Sequence, residues 1–166
     1  VALDLKSAQE VVMREGSLRT AVQASCAIPG ILPPVKIGDR ELVDGGWIDR
    51  VPIRPAREMG ADLVIAVDVA EVLNDPEDYN TGLGIVLRTN DITRFALGRL
   101  QLQEADLVIS PDVSGIHWSD FRHLDACLAA GERATREKLA DIKRLVKRKK
   151  LKKIFRVLRD RLFSLR

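Results

Sequence analysis

Short apolar runs broken by glycine, proline and acidic positions fill the first two-thirds of the chain, and a helical period takes over after them. Val1 to Leu5 reads as a strand, and Leu18 to Ser25 as a short helix that must end before Pro29-Gly30 and Pro33-Pro34, where proline removes a backbone donor. Ile31 to Ile37 and Glu41 to Val43, joined through Gly38-Asp39-Arg40, carry the pattern of a hairpin, and its second strand runs directly into Asp44-Gly45-Gly46. Pro55 to Met59 is a short helix closed by Gly60. Asp62 to Val69 is almost continuously apolar, as expected of a strand buried on both faces of a mostly parallel sheet. A polar loop over Asn74 to Thr81 separates it from a longer helix, Gly84 to Leu102, and Ala105 to Ser110 is a second buried strand stopped by Pro111. Phe121, Leu124, Leu128, Gly131 and Thr135 share one helical face that continues to Leu139 and Ile142. Alternating strands and helices predict a layered α/β fold.

Charge divides the chain where periodicity does not. Between Lys143 and Arg166 there are 12 Lys and Arg against the single Asp160, a net charge of +11, whereas residues 1–142 carry −8. The total of +3 therefore describes neither part, and the expected organisation is a body, 1–142, with a basic tail, 143–166. In the tail Leu151, Ile154, Phe155, Leu158, Leu162 and Leu165 recur at helical spacing, with cations on the other faces. A helix of this kind can lie in a membrane interface against anionic head groups, dock on a protein, bind nucleic acid, or simply cover part of the body. No recognised nucleic-acid motif accompanies the charge, which disfavours that partner.

At 166 residues and 46% apolar composition the chain is large enough for one domain's core and excludes a disordered or collagen-like polymer. No apolar run is long enough to span a bilayer. Cys26 and Cys127 are far apart, and His117 and His123 complete no zinc pattern with them, so the expectation is a reduced, cytoplasmic chain without a metal. Val1 to Leu5 carries no initiator Met or signal-peptide pattern and looks like the inside of a strand, so the gene is expected to begin upstream.

Asp44-Gly45-Gly46 is the sharpest candidate for chemistry. Function in α/β sheets concentrates where strands end, and two glycines let the backbone pass close to a neighbour while presenting the carboxylate. Taken alone the tripeptide is also ordinary turn chemistry. The flanks add to it: Gly16 to Pro34, Leu42-Val43-Asp44-Gly45-Gly46, Val51-Pro52-Ile53 and Gly60 to Asp68, in this order, closely resemble the patatin-like phospholipase family, its bacterial esterase branch in particular. Val1 to Leu5 is similar to the strand that precedes the family's Gly-Ser-Leu helix, and the likeness is strong over about residues 1–70 and looser over 100–140.

The resemblance implies a three-layer α/β fold with a mostly parallel central sheet, incomplete at the N-terminus, and a lipid acyl hydrolase using a serine-aspartate dyad. Asp44 takes the position of the dyad aspartate, with Gly45 and Gly46 supporting its loop. The family's serine sits in a Gly-x-Ser-x-Gly elbow beneath a glycine-rich oxyanion loop; neither occurs in residues 1–166, and both lie N-terminal to this region in the family. The chain is thus expected to supply the base without the nucleophile and to be inactive alone. No cofactor is implied. Expected partners are a lipid or ester substrate, an anionic membrane surface met by residues 143–166, and a second copy of the chain, which an open sheet edge invites.

This sequence departs from the family after Asp-Gly-Gly, where Asp49 replaces an asparagine and Arg50 a common proline, and Lys6-Ser7 replaces a Thr-Gly after the first strand. Asp49 remains able to accept backbone N–H groups. His117 and His123 could form a triad with Asp120 or Asp125, but no elbow serine is near and a solvated or structural role is expected. Cys26 reads as a buried packing thiol, because no histidine partner accompanies it, and Asp68 as a loop-bracing carboxylate at a strand end. The alternative to an enzyme is a non-catalytic α/β module that binds membrane, nucleic acid or protein through the tail.

Overall fold

The computed structural model describes residues 1–69, 80–116 and 119–163, with side chains to Leu151. The chain divides into two compact units, Val1–Pro55 with Leu73–Glu104, and Ala56–Val72 with Ala105–Arg166.

The first unit is built on a four-stranded antiparallel sheet, order β2-β1-β4-β3, from β1 (Ala2–Asp4), β2 (Gln9–Val11), β3 (Val35–Ile37) and β4 (Arg40–Asp44). The sequence pattern does not reveal β2, a three-residue strand that follows β1 through a turn in which Ala8 takes φ +55°. Asp4 holds that corner together. It is 4% exposed, and its carboxylate accepts bonds from Ser7 Oγ at 2.7 Å and from the backbone N–H groups of Lys6 and Glu41, each at 3.2 Å. The Ser7 hydroxyl is the largest influence lowering its pKa below the ordinary carboxylate range, against an opposing push from burial. In register, Ala2 lies opposite Asp44 and Val11, and Asp4 opposite Leu42.

The helix α1 (Leu18–Ser25) starts where expected, with Ser17 as its cap accepting Thr20 N–H, and it places Ala24 against Ala2, Val11 and Leu42 to form the core of this unit. Leu42, Val43 and Ile53 are the largest fully buried side chains, each contributing about 1.5–3 kcal/mol through lost apolar exposure. Cys26 corrects the sequence reading: it is exposed. It caps the C-terminal end of α1 two residues beyond buried Ala24, a spacing that turns it to the opposite side of the helix. The long helix α3 (Gly82–Leu102) begins at Thr81, whose hydroxyl accepts Gly84 N–H at 3.0 Å.

Between these segments, α2 (Ile53–Glu58) leads into the second unit and closes with a Schellman pattern. Gly60, at φ +93°, donates to Arg57 O at 2.9 Å, and Ala61 donates to Ala56 O at 3.1 Å. The second unit pairs β5 (Ile65–Val67) in parallel with β6 (Leu107–Ile109). The class is therefore mixed α/β, with parallel pairing between β5 and β6 and antiparallel pairing through the four-stranded sheet. β5 is shorter than its apolar run and Val67 is 52% exposed, because among the described residues it pairs with β6 alone.

Two helices follow, α4 (Leu124–Glu137) and α5 (Leu139–Phe163), where the apolar period reads as one; the chain breaks at Lys138. The charge boundary near residue 142 thus falls inside α5. Asp106 ties this unit together: it accepts Val64 N–H at 2.9 Å, Arg57 at 2.5 Å and Lys149 Nζ of α5 at 3.1 Å. Burial pushes its pKa up, but these three donors outweigh it and hold the carboxyl at about 2. The polar loop over 74–79, and His117, lie outside the described residues.

Candidate functional site

β4 delivers Asp44 to the end of its strand, and the chain then turns through a short 3-10 helix, Gly45–Trp47. Asp44 caps that turn: its Oδ1 accepts Gly46 N–H at 2.7 Å, and its own N–H donates to Ala27 O at 3.0 Å. The residue is half-buried, so the carboxylate is anchored yet reachable.

Both glycines have a steric reason here. A Cβ on Gly45 would stand 2.6 Å from Val1 O and 2.8 Å from Val1 C, backbone atoms that cannot step aside. A Cβ on Gly46 would come within 3.1 Å of Asp44 Oδ1. The first glycine lets β1 run alongside β4, and the second lets the carboxylate fold onto its own loop.

One stripe of α3 holds the segment that follows. Arg94, Gly98 and Gln101 recur at i, i+4 and i+7, one helical face. Arg94 Nε donates to Gly46 O at 3.4 Å and its guanidinium stands 4.7 Å from the Trp47 ring centroid. Gln101 Nε2 donates to Ile48 O at 2.8 Å, and Gly98 between them on this face is buried. Nothing in the sequence marks these helix residues as supports of the Asp44 loop; their shared face could have been read, but not its partner.

Among the described residues Asp49 accepts no backbone N–H group at its carboxyl. It is 7% exposed and turned toward the Glu10 carboxyl of β2; burial is the largest influence raising its pKa to about 6, followed by the Glu10 charge and their carboxyl–carboxyl contact. Its own N–H donates to Gly45 O at 2.8 Å, which tightens the turn from the other side.

The other candidates belong to the second unit and have local partners of their own. His123 lies 3.5 Å from Asp120, but Asp120 also caps the turn Phe121–His123 through Arg122 N–H and grips the Arg122 guanidinium, which gives the cluster a structural role. Asp125 sits in the first turn of α4. Asp68 directly follows β5, its N–H donating to Ile109 O at 2.8 Å. Among the described residues no group of three or more His, Cys, Asp or Glu side chains is arranged to hold a metal ion, and no helix is long and apolar enough to cross a membrane.

Residues 4–57, the stretch that builds this site, match the family model described as patatin-like phospholipase. This match and the relatives that follow support a patatin-like phospholipase assignment. Over 84% of its length it is 34% identical to an uncharacterized NTE family protein of Mycobacterium tuberculosis, covering 28% of that protein. A second uncharacterized NTE family protein of the same organism is 42% identical over 69 residues, 42% of this chain and 19% of the relative. The lysophospholipase NTE1 of Cryptococcus neoformans is 44% identical over 69 residues, 41% of this chain and 4% of that protein. The chain therefore spans under a third of the length of these curated relatives.

Proposed function

We propose that this chain contributes the aspartate base of a serine-aspartate lipid acyl hydrolase, with Asp44 as that base. The observation that carries the reading is the strand-end position of Asp44, half-exposed and locked by Gly46 N–H at 2.7 Å within the stretch that matches the family. A carboxylate so held takes the hydroxyl proton as a serine oxygen attacks the ester carbonyl; the alcohol leaves with a proton, and water then releases the acyl group and restores the serine. The serine and its oxyanion donors come from outside residues 1–166, which contain no Gly-x-Ser-x-Gly. The similarity to a lysophospholipase supports a lipid ester as substrate. Asp44→Asn keeps the cap geometry but removes the base, and ester hydrolysis by the protein of the whole reading frame is expected to fall by about 10²–10⁴-fold.

The basic segment, net +11 over residues 143–166, supports peripheral contact with an anionic lipid surface. Sedimentation with anionic vesicles at low salt, lost at high salt, is the expected result, and absence of binding at low salt removes this part of the reading.

A further inference from the structure

Two consecutive glycines give the Asp44 turn its close approach to Val1, and they also leave it a backbone with little intrinsic stiffness. The N–H that anchors the carboxylate belongs to the second of them, Gly46, which donates to Asp44 Oδ1 at 2.7 Å. Any swing of Gly46 therefore carries the candidate base with it. Within the turn the N–H groups of Ile48 and Asp49 close on Gly45 O at 3.0 and 2.8 Å, which fixes the first glycine. The carbonyls of Gly46 and Ile48 are taken from outside the turn, both by side chains of α3.

Arg94 Nε donates to Gly46 O at 3.4 Å, a long bond that is weak by itself. It does not act by itself. The same guanidinium stands over the Trp47 ring, and on the helix side its Nη1 meets Asp91 at 3.7 Å, one turn back along α3. The Arg94 side chain is 30% exposed, so it is more than half shielded from water. Gln101, two turns further along the same face, donates to Ile48 O at 2.8 Å. Three successive residues of the turn, Gly46, Trp47 and Ile48, are thus held by one helix of the same compact unit. Neither Arg94 nor Gln101 donates to the Asp44 carboxylate among the described residues, so what they do to it passes through the turn.

We propose that Arg94, seconded by Gln101, is a positioning residue for Asp44: it fixes the glycine whose N–H aims the carboxylate, so that the base stands in line with the serine hydroxyl before the proton moves. The proposal rests on Asp44 being the base and adds where its orientation comes from. Proton transfer is steep in distance and angle, and a misplacement of about 1 Å can cost about 10²-fold. The loss on removing Arg94 is therefore expected in kcat, with KM nearly unchanged.

The test is hydrolysis of p-nitrophenyl butyrate by the product of the whole reading frame, run as a double-mutant cycle between Arg94→Met and Asp44→Asn, with Arg94→Lys and Gln101→Met alongside. Arg94→Met is expected to lower kcat by about 10- to 100-fold with KM within about twofold, and Gln101→Met to give a smaller loss of the same kind. Arg94→Lys keeps a cation over Trp47 and a donor for Gly46 O, and is expected to recover most of the loss. In the Asp44→Asn protein Arg94→Met is expected to change the residual rate no further, since no base is left to aim. An arginine that only stabilises the fold gives the same fold-loss in both backgrounds, and that result overturns the proposal, as does full kcat in Arg94→Met or a loss confined to KM. Should Arg94→Met not fold, Gln101→Met carries the same cycle through the Ile48 carbonyl. An inactive Asp44→Asn beside a fully active Arg94→Met removes the role of Arg94 alone, whereas full activity in Asp44→Asn removes the base and this proposal with it.

Discussion

The guanidinium of Arg94 lies over the indole of Trp47, 4.7 Å from its centroid, while Arg94 Nε bonds the carbonyl of Gly46, the residue whose N–H holds Asp44. A helix residue fifty positions downstream is thereby coupled to the candidate base through a single turn. Arg94→Met keeps much of the side-chain bulk and removes both contacts. It is expected to cost about 0.5–2 kcal/mol and to change Trp47 fluorescence, whereas a surface role for Arg94 leaves both unchanged.

Gly45 and Gly46 are predicted to differ under the same substitution. Gly45→Ala places a methyl 2.6 Å from the Val1 carbonyl oxygen and is expected to lower stability by about 1–3 kcal/mol in chemical denaturation. Gly46→Ala crowds the Asp44 carboxylate at 3.1 Å and meets the Arg94 guanidinium at an ordinary 3.8 Å, so it displaces the carboxylate with a smaller stability loss. Equal costs would contradict the assigned roles.

Asp49 gives a pH signature of opposite sign to most carboxylates. Its folded pKa of about 6 exceeds the ordinary 3.8, so between these values the folded chain holds the extra proton, and its contribution is lost as pH rises from about 4 through 6. Asp49→Asn is therefore expected to raise the unfolding midpoint at pH 8 and to change it little at pH 4, read by thermal melts.

Asp106 behaves conventionally. Held at about 2 against 3.8, it stabilises above pH 4 and loses that contribution as pH falls toward 2. Asp106→Asn leaves Arg57 and Lys149 without their carboxylate, and a loss of about 1–3 kcal/mol is expected, together with faster amide exchange in α5.

Local chemistry made part of this architecture legible in the sequence. The helix Leu18–Ser25 and the end of α3 at Leu102 fall where the chain's punctuation places them, and β4 runs into Asp44-Gly45-Gly46 as read. What stayed hidden depends on distant partners. β2 is too short to show a period and exists because Asp4 closes the corner before it. The apolar face of α4 was visible as a period, yet Leu124 and Leu128 stand more than 60% exposed, since periodicity names a face and not what covers it. Asp49 read as a loop acceptor because nothing local reveals Glu10 across the fold from it.

The most direct test of the central claim is ester hydrolysis measured on three proteins: the 166-residue chain, the product of the whole reading frame, and that product carrying Asp44→Asn. Activity in the second alone, with the third reduced by about 10²–10⁴-fold at unchanged folding, is the result expected of Asp44 as the base. Hydrolysis by the 166-residue chain, or full activity in the Asp44→Asn protein, would contradict it.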